Sequence, residues 1–234
     1  MKKMMWIVTI IAFVGTAIVL LFMPDSVPMH YDVEGNIDRW GSKYENFVLP
    51  IIIMVMSLFW SLIARYYEKR AEKETDEKAV AGLISNRKVI EMVGTCMAVM
   101  FTVMQGFYLF SSYKEAVSMA ETQVVDTGKV TVVLMGIVFI ILGNVMTKTR
   151  INSTVGVRIS WSMYNDNTWR KSNRCGGILI MVAGVLSIIT AFAMENSFAS
   201  SMTCVLYLVL ASVLTLVYSH RVYKAEIEKE KREK

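Results

Sequence analysis

Residues 4–23 read MMWIVTIIAFVGTAIVLLFM, twenty positions without a single charged side chain. A bilayer hydrocarbon core about 30 Å thick needs roughly 20 apolar helical residues to cross it, so this stretch predicts a transmembrane helix. Five further runs qualify by the same test: 47–64, 89–110, 130–146, 175–194 and 201–219. The fourth run is the shortest, near the lower limit for a span. None shows the apolar/polar alternation over about ten residues that a membrane β-barrel strand requires. The fold class that follows is all-α, a polytopic membrane protein with six transmembrane helices.

The composition of the 234-residue chain agrees. It is 54% hydrophobic and 19% charged, with a mean hydropathy of +0.44, where a soluble domain carries about a quarter charged residues. This composition argues against a soluble globular enzyme, a disordered chain and a disulfide-stapled secreted domain. The charges collect between the runs. Of 25 Lys and Arg, 21 fall at the N-terminus, in 65–88, in 147–174 or after residue 219, leaving Arg39, Lys43, Lys114 and Lys129 on the other side. The positively charged side is the cytoplasmic one, which predicts both termini inside. The first run is too long for a signal-peptide core and no small-x-small cleavage site follows it, so it is read as a retained span. Cys96, Cys175 and Cys204 lie in or beside the runs and read as small buried hydrophobes.

Four segments follow from this pattern: 1–64, a first helix pair with a patterned acidic outer loop at 24–46; 65–88, a charged cytoplasmic connection; 89–219, a four-helix region with a patterned cytoplasmic loop at 147–174; and 220–234, a charged cytoplasmic tail. The outer loop reads PDSVPMHYDVEGNIDRWGSKYEN, with five acidic residues against two basic ones. Pro24, Pro28, Gly35-Asn36 and Gly41-Ser42 supply turn chemistry, and proline lowers the entropy lost on taking one shape. A folded acidic cap is expected. His30 with Asp32, helped by Asp25 or Asp38, is a weak metal signature because such sites need three or four converging ligands. Local hydrogen bonding is the preferred reading, and no metal or cofactor is expected.

The loop 147–174 is too polar to span and too patterned for a linker. Trp161, Tyr164 and Trp169 are spaced to share one side of a helix. They read as an aromatic belt, with Arg158, Arg170, Lys171 and Arg174 facing anionic headgroups, as a docking surface for a cytoplasmic partner, or as part of a cleft closed by Arg158 and Asn144. Gly143-Asn144 suits close helix packing. The segments 65–88 and 220–234 mix charges of both signs, as solvated helices laced by i,i+4 pairs do. Acidic residues interrupt every basic run, which argues against direct nucleic-acid binding.

Two stretches together resemble the SdpI-type (sporulation-delaying-protein) immunity proteins of bacterial membranes. Met23-Pro24-Asp25-Ser26-Val27-Pro28-Met29-His30, followed by Gly35, Asp38, Ser42 and Lys43, is similar to the P-x-x-I-P-x-H loop of the domain of unknown function that opens these proteins, with Val27 for the usual Ile. Gly143-Asn144, then Asn152, Gly156-Val157-Arg158, Trp161 and Trp169, is similar to the family's G-N … N-x-x-x-G-I-R-x-x-W … W stretch. Ile151 replaces a frequent Pro, and Ser172-Asn173 replaces a frequent Thr-His before Arg174.

The resemblance implies a multi-pass protein of the bacterial plasma membrane that resists a secreted antibacterial peptide. It also implies a winged-helix repressor, a separate chain, held at the membrane inside. The outer-loop binding residues would be Pro24, Asp25, Pro28, His30, Gly35, Asp38 and Lys43. The cytoplasmic partner residues would be Gly143, Asn144, Asn152, Gly156, Arg158, Trp161, Trp169 and Arg174.

The alternative is a small transporter or exporter of a hydrophobic or peptide substrate. Ionisable groups at membrane depth mark ion pathways; the middles of the six runs hold none, and Gln105 is the one strongly polar side chain well inside a run. This disfavours a proton-coupled pump. An enzyme fits worst: there is no H-E-x-x-H, G-x-S-x-G, Walker or C-x-x-C motif, and no catalytic residue is assigned.

Overall fold

The computed structural model describes residues 1–149, 151 and 155–232. Among the described residues six helices are long and apolar enough to cross a membrane: α1 (Lys2–Leu20), α2 (Val48–Ala71), α3 (Glu77–Ser118), α4 (Thr127–Met146), α5 (Asp166–Ala193) and α6 (Ser197–Arg232). Between α1 and α2 lies a two-stranded antiparallel sheet, β1 (Ser26–Tyr31) with β2 (Ile37–Ser42), closed by a short 3-10 helix at Lys43–Phe47. The expected folded cap is therefore a β-hairpin, the one strand pair among the described residues.

The chain divides into two compact units, residues 1–131 with 196–198, and residues 132–195 with 199–234. In the first, α3 packs along both α1 and α2. The buried positions of α1 are Met5, Thr9, Ala12, Thr16 and Leu20, and those of α2 are Pro50, Ile53, Ser57, Ser61 and Ala64. Each set recurs every three or four residues and so forms one stripe. Met5, Ala12, Ile53 and Ala98 make the apolar centre. The remaining faces, with Ile7, Ile11, Ile18, Val55 and Leu62 exposed, suit lipid.

Small and hydroxyl residues at these seams let helices approach closely and hydrogen-bond. Thr9 Oγ1 and Ser57 Oγ lie 2.8 Å apart, and Trp6 Nε1 donates to Ser61 Oγ at 2.9 Å. Pro50 sits in the first turn of α2, where the missing N–H breaks no helical bond. The segment 65–88 continues both helices: α2 runs on to Ala71, Asp76 caps α3, and Arg87 pairs with Glu68 at 2.8 Å and Glu91 at 3.2 Å.

In the second unit, α4 and α5 cross backbone to backbone. A Cβ added at Gly143 would lie 2.5 Å from the Gly177 carbonyl, and one at Gly136 2.7 Å from that of Gly184. The reverse approaches, from Gly177 and Gly184, are 2.5 Å each. The paired glycines are seven residues apart on each helix, two turns, so they form one seam. Gly143→Ala should part the helices and destabilise the protein by about 1–3 kcal/mol, read as a lower unfolding midpoint in detergent. Gly15→Ala, where nothing lies within 4 Å, is the control expected to hold or raise that midpoint. Equal midpoints for the two variants would refute the seam.

Candidate functional sites: a fastened hairpin and a tryptophan-centred loop

The hairpin takes its shape from its acidic residues. Asp32 Oδ1 accepts from the backbone N–H groups of Glu34 (2.8 Å) and Asn36 (2.9 Å), and Asp32 Oδ2 from Asn36 Nδ2 (2.8 Å). Gly35 follows at φ +87°, buried against Gln123, a left-handed position that glycine occupies without strain. Glu45 takes Arg39 Nη2 at 2.8 Å and the Ser42 N–H at 3.1 Å. Hydrogen bonds from Asn36 and from Arg39, respectively, hold the Asp32 and Glu45 carboxyls below the usual range. Their support for the hairpin is thus present above the ordinary carboxylate range and lost as pH falls through the lower folded values.

The residues that the motif resemblance picked out serve this frame. Lys43 Nζ bonds the Met23 carbonyl (3.2 Å) and Asp25 (3.0 Å); His30 Nδ1 meets Asp38 at 2.6 Å; Pro28 is buried on β1. Pro24 leads into the strand. The three carboxylates weighed as partners of His30 have separate tasks: Asp32 in the turn, Asp25 on Lys43, and Asp38 on the ring. Among the described residues no group of three or more His, Cys, Asp or Glu gathers to hold a metal ion.

The hairpin is seated on the end of α3 by a residue the sequence reading passed over. Glu115 is fully buried. Its Oε2 accepts from Tyr31 Oη at 2.6 Å, and its Oε1 from Ser111 Oγ at 2.5 Å and the Val124 N–H at 2.7 Å. Burial first, and the Glu115 bond second, push the Tyr31 phenol well above its ordinary value, so it remains a donor. Val27, buried with Leu20, Met23, Leu109 and Ala116, makes the apolar part of the seat. Segment 121–123 adds backbone bonds to the hairpin tip, Ile37 N–H to Glu121 (2.9 Å) and Gln123 N–H to Gly35 (2.9 Å). The signal available in sequence was Ser111 and Glu115 at i and i+4.

The second patterned region centres on Trp169, 1% exposed. Trp169 Nε1 donates to the Thr149 carbonyl at 2.9 Å. Gly156 has φ +132°, and a Cβ there would strike Asn173 Oδ1 and the Trp169 ring; only glycine fits. Asn173 Oδ1 accepts from the Val157 N–H at 2.7 Å while its Nδ2 donates to the Trp169 carbonyl at 3.0 Å. The departure from the family's Thr-His pair thus places a residue that ties loop to helix, and Ser172 beside it meets Ser219 at 2.9 Å.

The shared helical face expected for Trp161, Tyr164 and Trp169 is corrected. Asn165 caps α5 through the Thr168 N–H at 2.9 Å, so the helix begins at Asp166 and the two earlier aromatics lie in turns. Ser162 Oγ holds those turns by bonds to Val157 and Ile159. Trp161 and Tyr164 instead pack on α6, with ring centroids 4.6 Å from His220 and 5.2 Å from Tyr223. The charged tail joins them: Tyr164 Oη donates to Glu230 at 2.7 Å, and Asn167 Nδ2 to Glu226 at 2.6 Å. The bond to Glu230 raises the Tyr164 phenol.

A cleft of about 530 Å³ does lie beside this loop, but Thr147, Lys148, Thr149, Asp166, Asn167, Trp169 and Arg170 line it, not Arg158 or Asn144. Gly143 is buried against α5, whereas Asn144, Arg158 and Arg174 are exposed. Asn152 lies outside the described residues.

Six spanning helices, one fastened hairpin and one ordered polar loop define a multi-pass membrane protein. Residues 148–219 match the SdpI/YfhL protein family and residues 7–54 match a domain of unknown function (DUF1648). The chain is also 22% identical to the immunity protein SdpI of Bacillus subtilis (strain 168), over 220 residues that cover 93% of each chain. No solved structure matches. The resemblance read from the two motifs is borne out by these matches, and the chain is a multi-pass protein of the cell membrane.

Proposed function

We propose that the protein gives its cell resistance to a secreted antibacterial peptide, or senses an envelope signal of that kind, by binding rather than by catalysis. The observation that carries this reading is the fastened hairpin. A segment with three prolines in or just after it, the Asp32 carboxylate bonded to the backbone of its own tip, and a buried glutamate beneath it presents one fixed surface, which is what recognition without reaction needs. The Lys/Arg distribution supports an outward position for that surface. The similarity to an immunity protein supports the resistance reading.

The Lys/Arg count of 147–174 supports a cytoplasmic position for the loop around Trp169. The loop carries exposed Arg158, Arg170 and Arg174 on an ordered base, a surface for a separate cytoplasmic chain such as a repressor. Coupling between the two sides requires two states that both ligands bias.

Replacing residues 24–46 with a neutral linker should abolish survival under challenge by a panel of membrane-active peptides, with the protein still present in the membrane fraction. Undiminished protection would overturn the role of the hairpin.

A further inference from the structure

Gln105, buried in α3, has a use that neither helix packing nor the hairpin seat absorbs. Its amide nitrogen is held by Thr16 Oγ1 at 3.1 Å and the Asn46 carbonyl at 3.0 Å. Its oxygen accepts no bond from any described residue. One turn on, the Tyr108 hydroxyl also bonds no described residue, and Ser112 follows with its hydroxyl donating to the Pro28 carbonyl at 3.3 Å. Gln105, Tyr108 and Ser112 are spaced i, i+3, i+7, so they run up one face of α3. All three line a cleft of about 450 Å³ between α3, β1 and the start of α2. Val48, Leu49 and Ile52 give the cleft an apolar side, and His30 and Glu45, which also line it, are paired with Asp38 and Arg39; Val48 and Ile52 are exposed on a spanning helix, so the cleft opens toward a lipid-suited face.

The chemistry of the occupant follows. No unpaired cation awaits a phosphate: the nearby Arg39 is bound to Glu45 and Lys43 to Asp25. The polar positions extend over seven residues of helix, about 10 Å, the reach of about three extended residues. A lipid headgroup gathers its polar atoms at one end, whereas an extended peptide repeats donors and acceptors along its length and carries side chains on its other side. We propose that this cleft binds an uncharged, apolar peptide segment in extended form, one backbone N–H on Gln105 Oε1 and a neighbouring carbonyl on the Tyr108 hydroxyl. The inference deepens the proposed function and rests on its reading of the ligand as a peptide.

The test uses the full chain in phosphatidylcholine/phosphatidylglycerol nanodiscs and an N-acetylated, C-amidated octapeptide of Leu, Val and Gly carrying one benzophenone side chain. Saturable photolabelling should map to the starts of α2 and to the Gln105–Tyr108 turn. Tyr108→Phe should weaken it about tenfold, the scale of one lost hydrogen bond, while Tyr113→Phe, outside the cleft, leaves it unchanged. Gln105→Leu should act likewise; because that change also frees Thr16 and Asn46, Tyr108→Phe carries the decision. Non-saturable labelling, or full labelling in Tyr108→Phe, would overturn the proposal. So would displacement by monooleoylglycerol where the unlabelled peptide displaces nothing. The two readings separate cleanly: protection lost on hairpin replacement with labelling indifferent to Tyr108 sinks the cleft alone, and specific labelling without any protection in cells sinks the immunity role alone.

Discussion

Glu115→Ala is expected to unseat the hairpin and to lower the unfolding midpoint in detergent by on the order of 10 °C. The change strips three donors at once, the Tyr31 hydroxyl, the Ser111 hydroxyl and the Val124 N–H. A buried donor left without its partner costs about 1–3 kcal/mol, so the total is about 3 kcal/mol or more. The loss should be local before it is global, since the apolar seat of Val27 on Leu109 and Ala116 remains. Limited proteolysis reads this directly: cleavage within 24–46 should appear in the variant at temperatures where the parent is intact. Tyr31→Phe removes one of the three bonds and should show a smaller shift in the same direction. A Glu115→Ala protein with an unchanged midpoint and an uncut hairpin would mean that the carboxylate is not the fastener.

Trp169→Ala carries the other large effect. A fully buried tryptophan cut to alanine costs about 3–5 kcal/mol, and here it also frees the Thr149 carbonyl and the wall that Gly156 abuts. Gly156→Ala attacks the same junction from the opposite side, by forcing a Cβ into Asn173 and Trp169 at a backbone angle that side chains rarely adopt. Both variants should lower the midpoint and expose the loop 155–165 to protease, while hydrogen exchange in α1 to α3 stays as in the parent. If Gly156→Ala unfolds no earlier than the parent, the proposed need for glycine at that position is wrong.

The six spans were legible because a helix in lipid must be continuously apolar for about 20 residues, and nothing else in the chain imitates that. The hairpin was not legible as strands. SVPMHY and IDRWGS are six residues each, without clean alternation and with Pro28 in one of them; what the sequence carried was the turn chemistry between them, and Asp32 and Gly35 do act as turn residues. The aromatic trio misled because a helical wheel assumes the helix is already running. Asn165 starts it late, so Trp169 turns inward while Trp161 and Tyr164 stay in turns. Glu115 stayed hidden for a different reason: Tyr31 is 84 positions away, and no local pattern can announce a partner at that distance. Glycine spacing told half its story. Gly143 was read as a packing position, but its register with Gly177 needed both helices in place.

α3 is an unbroken helix of 42 residues with no proline in it, about 63 Å long at 1.5 Å per residue. That is twice the depth of the oily layer it pierces. Glu115 sits under the hairpin in the last turn, and Arg87 and Glu91 lie about three to four turns in from the other end, beside the α2 extension. A single continuous helix therefore carries both the seat of the hairpin and the ion pairs that meet the α2 extension, with no proline kink in the path.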